Sequence, residues 1–93
     1  MLAMAYEERE PTLWEAAASN DVAIVAQRLL EPDTPVDLFN EAGASALHVA
    51  ASRGHVATTR FLLEREPQAA SVHLRDLESG WTALHRALYH GTA

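Results

Sequence analysis

Histidine is the side chain in this sequence best suited to metal binding or proton transfer, and 5 of the 93 residues are His. The close pairs are His48 with His55 and His85 with His90. Residues five apart on a helix point about 140° away from each other, and Gly54 interrupts the segment between the first pair. No Cys and no HExxH pattern completes a ligand set. We therefore expect no metal and no cofactor.

Other routes to catalysis lack their usual sequence patterns. The serines fall on predicted caps and loops, and neither a GxSxG elbow nor a glycine-rich phosphate loop occurs. The carboxylate pairs Glu7–Glu8 and Glu64–Glu66 are expected to be solvated charges near helix ends, not a buried dyad. We predict no catalytic residue, no small-molecule substrate and no enzyme activity.

Charge and composition narrow the class of partner. The formal net charge is −6, from 13 acidic and 7 basic residues, and every basic residue is a scattered Arg. Nucleic-acid binding normally needs clustered basic residues, so that class is set aside. The absence of Cys, of a secretory leader and of a run of about 20 apolar residues predicts a cytoplasmic or nuclear protein without a membrane segment.

One unit occurs three times along the chain. Residues 43–55, GASALHVAASRGH, match residues 80–92, GWTALHRALYHGT, at an offset of 37 positions. A degraded copy, LWEAAASND at 13–21, lies 34 positions earlier, with Trp14 in place of the His and Asn20 in place of the Gly. The repetition predicts an array of similar structural units.

Glycines and hydroxyl residues are expected to mark the limits of a short helix in these copies. Gly43 and Gly80 can take the positive φ angles of a tight turn. Ser45 or Thr82 then offers a hydroxyl that caps the helix, and Gly54 can adopt the left-handed conformation that ends it.

A second helix is predicted after the short one in the first two copies. Its apolar residues recur at helical spacing and are expected to face a core; they are Val22, Val25, Ala26 and Leu29 in one copy and Val56, Thr59, Leu62 and Leu63 in the other. Pro32 and Pro67 stop these helices. The alternating stretches at 36–40 and 72–76 are predicted to be hairpin arms. The extra residue before Gly80 is interpreted either as a functional insertion or as a neutral length difference.

The pattern GxTPLHxAAxxGH at a period of about 33 residues is typical of the ankyrin repeat, which this sequence resembles. The resemblance implies an all-α solenoid of about two and a half helix-turn-helix repeats with hairpin loops. It also implies that His48 and His85 hydrogen-bond backbone groups of the neighbouring turn. The structural motif positions are Gly43, Leu47, His48, Gly54, Gly80, Leu84 and His85.

The predicted organisation is asymmetric. Residues 1–11 form an extension, 12–40 a degenerate capping repeat, 41–76 a full repeat and 77–93 a truncated one. Gln27 and Arg28 replace Phe61 and Leu62 of the second copy, so the first copy should expose more polar surface, as terminal repeats do. The last copy stops before its second helix, which should leave Leu84 and Leu88 uncovered. We therefore expect a piece of a longer protein or an incomplete gene product.

The segment DLESGWTALHR at 76–86, followed by Tyr89 and Gly91, resembles the N-terminal ankyrin region of the inhibitor of Bruton's tyrosine kinase family. That family continues into RCC1-type and BTB domains. The resemblance implies an adaptor for a cullin-type ubiquitin ligase, of which this chain carries the interaction module alone. Two alternatives remain open: a segment that caps a larger repeat protein, and a stand-alone binding protein without a ligase link.

The ankyrin resemblance also implies where a protein partner binds, namely at the hairpin tips and exposed inner-helix positions. Trp81 is the favoured anchor because aromatic side chains dominate interface hot spots. Packing of Trp81 against the loop after Pro67 is the alternative interpretation. The full predicted set is Glu41, Ala42, Ala44, Ser52, Arg53, Leu77, Glu78, Trp81, Tyr89 and His90.

Overall fold

The computed structural model describes residues 11–66 and 68–89, and in these ranges it contains five short helices and no strand. The expected all-α class is therefore confirmed. The helices are α1 Leu13–Ala18, α2 Val22–Leu29, α3 Ala46–Ser52, α4 Val56–Glu64 and α5 Ala83–Tyr89. The first two repeats each contribute an inner helix, α1 or α3, and an outer helix, α2 or α4. The inner helix of the third repeat is α5.

Side-chain caps start each inner helix. The hydroxyl of Thr12 accepts the N–H of Glu15 at 3.2 Å, while the Glu15 carboxylate accepts the N–H of Thr12 at 2.8 Å. Ser45 accepts the N–H of His48 at 3.3 Å, and Thr82 accepts the N–H of His85 at 3.4 Å. These bonds satisfy N–H groups that have no partner within the helix, and the predicted caps at Ser45 and Thr82 are confirmed.

The inner helices of the first two repeats end on left-handed residues. Gly54 has φ 71°, as predicted from its position, and Asn20 has φ 59° at the equivalent place in the first repeat. Asn tolerates this region better than most residues with a Cβ atom. The degraded first copy therefore keeps the turn that connects its two helices.

The predicted hairpin arms do not form strands. Instead, a backbone hydrogen bond closes each connection near its tip. The first hairpin, residues 40–44, is closed by Asn40 N–H donating to the carbonyl of Ala44 at 2.9 Å. The second hairpin, residues 76–81, is closed by Asp76 N–H donating to the carbonyl of Trp81 at 2.8 Å. Each segment is too short for a ladder, so turns replace the arms.

The two hairpins touch through their backbones. Leu77 N–H donates to the carbonyl of Gly43 at 2.8 Å. A Cβ atom on Gly43, whose φ is 84°, would lie 2.7 Å from the Cβ of Leu77. Glycine is therefore required at this position both for the backbone angle and for the close approach.

The core lies between the helices of adjacent repeats. The inner helices pack side by side, with α3 between α1 and α5, and α2 packs against α4. Small side chains permit this close approach, since Ala16, Ala17, Ala46, Ala50 and Ala83 are all buried. Larger apolar residues fill the remaining core, namely Leu13, Val25, Leu29, Leu47 and Leu62. Full burial of each such side chain contributes about 1.5 to 3 kcal/mol.

The two outer helices differ from the prediction that both apolar stripes face a core. On α2, Val25 and Leu29 are buried as expected. On α4 the buried residues are Thr58 and Leu62, whereas Val56 is exposed and Leu63 is 36% exposed. The prediction was wrong for α4 because the two outer helices have different neighbours. One side of α2 is covered by α4, whereas the corresponding side of α4 borders an open groove.

Candidate protein-binding surface

Asp76 organises the second hairpin from within. Its side chain is fully buried. Its Oδ1 atom accepts the N–H groups of Ser79 at 2.8 Å, Gly80 at 2.9 Å and Trp81 at 3.3 Å. Its Oδ2 atom accepts the Nε–H of Arg86 at 2.7 Å. One carboxylate therefore holds the hairpin tip in shape and joins it to α5.

The charge on this carboxylate is stabilised despite its burial. Burial alone raises the pKa of Asp76, but the N–H of Ser79 and the guanidinium of Arg86 outweigh it. The net result is a pKa below the ordinary aspartate value. The carboxylate is consequently ionised throughout the neutral range.

His48 ties the second repeat to the second hairpin. Its ring is buried, and the N–H of Ser45 donates to Nδ1 at 3.4 Å. Because Nδ1 is thus an acceptor, the proton resides on Nε2, which donates to the carbonyl of Trp81 at 2.8 Å. Burial lowers the pKa of His48, which favours this neutral form. The contact is the one that the family resemblance implied.

His85 occupies the same motif position one repeat later, with a different environment. Its Nδ1 lies 2.9 Å from the hydroxyl of Thr82, and the ring is exposed. Leu84 beside it is 66% exposed, whereas its equivalent Leu47 is buried. The third repeat therefore has the motif residues, but within the described part of the chain no following repeat packs against them.

Trp81 is held at its main chain on both sides. Its N–H donates to Asp76, and its carbonyl accepts from both Asp76 and His48. The indole ring is half-buried and lies in a T-shaped contact with Tyr89, at 5.1 Å between centroids. The ring of His85 lies 6.3 Å away. Trp81 thus presents an aromatic surface whose position is fixed before any partner arrives.

The remaining predicted surface residues fall into four groups. Glu41, Ala42, Arg53, Leu77, Glu78 and Tyr89 are exposed. Ser52 is half-buried and donates its hydroxyl to the carbonyl of Val49 at 3.0 Å. Ala44 must be corrected, because it is only 3% exposed and its backbone closes the first hairpin. His90 lies outside the described residues.

Several contacts between repeats were not found from the sequence. The Asn20 carboxamide oxygen accepts the N–H and the hydroxyl of Thr58, at 3.2 and 2.8 Å, and so caps α4 from the preceding repeat. His55 Nε2 lies 2.8 Å from the carbonyl of Ala18. The role of Asp76 was also missed. The sequence contained one signal for it, because Asn40 and Asp76 occupy equivalent places before the two tip glycines, Gly43 and Gly80.

Trp14 compensates in part for the missing histidine of the first copy. Its indole N–H donates to the carbonyl of Leu38 at 3.2 Å, so an aromatic ring again links an inner helix to the following connection. The position of the accepting carbonyl differs, however. Leu38 lies before the first hairpin, whereas Trp81, which accepts from His48, is the last residue of the second hairpin.

Residues 11–66 and 68–89 contain no group of three or more His, Cys, Asp or Glu placed to hold a metal ion. None of the helices described is long and apolar enough to cross a membrane.

Residues 13–93 match the sequence family described as Ankyrin repeats (3 copies), and the chain belongs to this family. The rat ankyrin repeat and SAM domain-containing protein 6 is 42% identical over 85 residues, which cover 91% of this chain and 9% of that protein. The human inhibitor of Bruton tyrosine kinase is 37% identical over 69 residues, covering 74% of this chain and 5% of that protein. The chain thus spans less than a tenth of either relative.

A solved structure shares the fold. It contains the Bd0816 predatory endopeptidase of Bdellovibrio bacteriovorus in complex with immunity protein Bd3460. The matched chain superimposes with a TM-score of 0.74 at 26% identity, over 91% of this chain and 42% of that one. Ankyrin repeats are protein–protein interaction modules, and this match comes from a complex between proteins.

Proposed function

We propose that a protein partner binds this chain at the second hairpin, with Trp81 as the anchor. The observation that carries the proposal is the placement of Trp81, whose main chain is bonded to both Asp76 and His48 and whose ring packs against Tyr89. A side chain that is already ordered loses less conformational entropy on binding than a mobile one. Trp is also among the residues that most often dominate interface energies.

The surroundings of Trp81 resemble the anatomy of an interface. Tyr89, which is 72% exposed, packs against the ring, and Leu77, which is 70% exposed, adds an apolar side chain to the same hairpin. Glu78 supplies a charged, solvent-exposed edge. An apolar centre with a polar rim is the usual arrangement of a protein-binding patch.

Alanine substitution of Trp81 tests the proposal. Partners would first be isolated from source cells with the wild-type chain, and one purified partner then titrated by calorimetry. Trp81→Ala should weaken binding by about 30-fold or more, because a hot-spot truncation removes about 2 kcal/mol. The control is Leu30→Ala, a residue that is 82% exposed just after α2 and that should leave affinity unchanged. A folded Trp81→Ala chain with wild-type affinity would contradict the proposal.

We further propose that the whole protein is an adaptor for a cullin-type ubiquitin ligase. The support is the segment at 76–86 and the 37% identity to the human inhibitor of Bruton tyrosine kinase. The alternative is an interaction module without a ligase link, which the broader coverage of the rat SAM-domain protein favours. The coding sequence beyond Ala93 separates them, since RCC1-like or BTB-coding sequence supports the adaptor and a SAM domain or a stop codon contradicts it.

The remaining alternative is a capping role in which the same face is covered by the next domain. Quenching of Trp fluorescence by acrylamide in the full-length protein distinguishes this capping role from partner binding. A Trp81 signal as accessible as in the 93-residue chain supports partner binding. Protection of that signal, absent in a Trp81→Phe variant, supports the capping role.

A further inference from the structure

An open, mainly apolar groove of about 490 Å³ is bordered by α4 and α5. The residues that define this α4 groove are Leu47, Thr59, Leu63, Val72, Ala83 and Leu84. We propose that the α4 groove binds an amphipathic helix of a partner protein, which packs on α4 as α4 packs on α2. The inference goes beyond the proposed function, because none of these residues belongs to the second hairpin.

The apolar side chains of the α4 groove are accessible. Leu63 is 36% exposed, Val72 52% and Leu84 66%. A second depression of about 350 Å³ shares Thr59 and Leu63 with the groove and extends it along α4 to Val56, which is 67% exposed. Clustered exposed apolar residues mark interaction sites, whereas single ones are common on any protein surface.

The first repeat contains the same surface in a covered form. The residues that occupy the equivalent places, 34 to 37 positions earlier, are Leu13, Val25, Leu29, Val36, Ala46 and Leu47. All six are buried. The outer part of this surface is covered by α4, which packs on α2, and Leu62 of α4 is fully buried in the same core cluster. The molecule therefore shows which kind of element fills such a groove.

The chemistry of the occupant follows from α4. Its buried residues are Thr58 and Leu62, which lie four positions apart and therefore share one face of the helix. Helices that bind in apolar grooves present their anchor residues at this spacing. We expect the partner helix to present a leucine to the α4 groove, a small or β-branched residue one turn earlier, and polar residues on its opposite face.

The start of the partner helix must be capped differently from α4. At the first junction the side chain of Asn20 accepts the N–H and the hydroxyl of Thr58. The position equivalent to Asn20 in the second repeat is Gly54, which offers no side-chain acceptor. A partner helix therefore has to supply its own N-cap and is recognised mainly by its apolar face.

A second copy of this chain fits the α4 groove less well. The side of α2 that corresponds to the buried face of α4 carries Ile24 and Arg28, 34 positions before Thr58 and Leu62. Head-to-tail stacking of two copies would bring this arginine into the apolar groove and take it from its ion pair with Glu31. We therefore assign the groove to another protein.

A stapled peptide provides the probe. It is the acetylated and amidated segment 55–66 of this chain, which contains α4, the element that fills the equivalent groove. A hydrocarbon staple joins positions 60 and 64, which are exposed on α4. The staple is needed because an isolated helix of this length is only marginally stable in water, and the acetyl group caps its first turn.

Nuclear magnetic resonance of the full 93-residue chain reports where the probe binds. We expect saturable shifts of the methyl signals of Leu63, Val72 and Leu84. The methyl signals of Leu30, which is 82% exposed after α2, should stay in place.

Matched substitutions in the peptide and in the chain locate the contact. In the peptide, Leu62→Ala should weaken binding about tenfold, whereas Ala57→Ser, on the exposed side of α4, should leave it unchanged. In the chain, Leu63→Ala and Leu84→Ala should each weaken binding about tenfold. The control is Leu30→Ala, which removes the same side chain outside the groove and should not change the affinity.

Four results would overturn the inference. The first is the absence of saturable binding, and the second is equal weakening by Leu84→Ala and Leu30→Ala. The third is a shift of the buried Val25 and Leu29 methyl signals, which would mean that the peptide replaces α4 on α2. The fourth is a dimer of the wild-type chain in sedimentation experiments that Leu84→Ala dissociates, because the groove would then belong to a second copy.

The full-length protein supplies the last comparison. Binding of the stapled peptide as tight as to the 93-residue chain supports a partner helix. Loss of that binding would mean that a later segment of the same polypeptide covers the α4 groove, and it would contradict the inference. The peptide measures the groove alone, so its outcome is distinguishable from the titration of the partner with Trp81→Ala, which tests the proposed function.

Discussion

The two junctions between repeats are built from the same motif but are covered to different extents. At the first junction both α1 and α2 are packed under the second repeat, and Val25 and Leu29 are buried. At the second junction α5 packs on α3, while Leu63 of α4 borders an open apolar groove. Leu29 and Leu63 are 34 positions apart and occupy equivalent places in their helices. The comparison shows that burial of a repeat position depends on its neighbour as much as on its own sequence.

The hydrogen bonds of the two junctions also differ, although in both an inner-helix ring, Trp14 or His48, bonds to the following connection. The first junction has links on the outer side, where Thr58 bonds to Asn20 and His55 bonds to Ala18. The second junction is linked at the hairpin side, through His48 and Trp81. A perturbation of the outer helix should therefore affect the first junction most, and a perturbation of the hairpin should affect the second.

The largest expected effect separates two adjacent leucines of α4. Leu62→Ala should lower the free energy of unfolding by about 2 to 5 kcal/mol, because Leu62 is fully buried and its truncation leaves a cavity. Leu63→Ala should lower it by less than about 1 kcal/mol, since the side chain already contacts solvent. Urea unfolding followed by circular dichroism measures both. Equal losses would show that the open side of α4 is covered in solution.

The next effect concerns the charge at the second junction. Asp76→Asn should lower the free energy of unfolding at neutral pH by about 2 to 3 kcal/mol, because Arg86 loses its buried ionic partner. The pKa of Asp76 is depressed in the folded chain, so its stabilisation is complete above the unfolded value near 3.8 and is lost as the pH falls below it.

The pH dependence provides the check on Asp76. Urea midpoints measured at several values from about pH 6 to pH 2.5 should fall more steeply for the wild type than for Asp76→Asn. The gap between the two curves should narrow towards the acid end without closing, because the depressed pKa of Asp76 in the folded chain lies below this pH range. Parallel curves would mean that another carboxylate carries the acid sensitivity.

A smaller effect compares the two motif histidines. His48→Ala should lower the free energy of unfolding by about 1 to 3 kcal/mol, because the carbonyl of Trp81 and the Ser45 cap lose a buried partner. His85→Ala should change it by less than about 0.5 kcal/mol, since that ring is exposed. Denaturant unfolding of the two variants side by side is the measurement. A loss below about 0.3 kcal/mol for His48→Ala would contradict its bridging role.

The sequence predicted the elements well because their signals are local. A cap and the residue it bonds lie within one turn, as with Ser45 and His48, and a left-handed glycine such as Gly54 is recognisable alone. The link from His48 to the next turn was predictable because the family resemblance implied it. The partial exposure of the apolar stripe on α4 was not predictable from the stripe itself. Its burial requires an adjacent outer helix, which the sequence of the stripe does not reveal.

The candidate site was only partly predictable for the same reason. Trp81 was proposed from its residue type, yet its fixed main chain depends on Asp76 and on His48, which lies 33 positions away. Ala44 was assigned to the surface by its place in the motif and is buried because the hairpin folds over it. The cap that Asn20 provides to α4 acts across 38 positions and has no local signature.

The backbone contact at Gly43 has a consequence for the geometry of an array. Because the hairpins meet through Leu77 N–H and the carbonyl of Gly43, the spacing of repeats along this edge is set by the absence of a side chain. The opposite edge is spaced by whole helices. The ratio of the two spacings determines how an ankyrin array curves, so one missing methyl group helps to set the curvature between these two repeats.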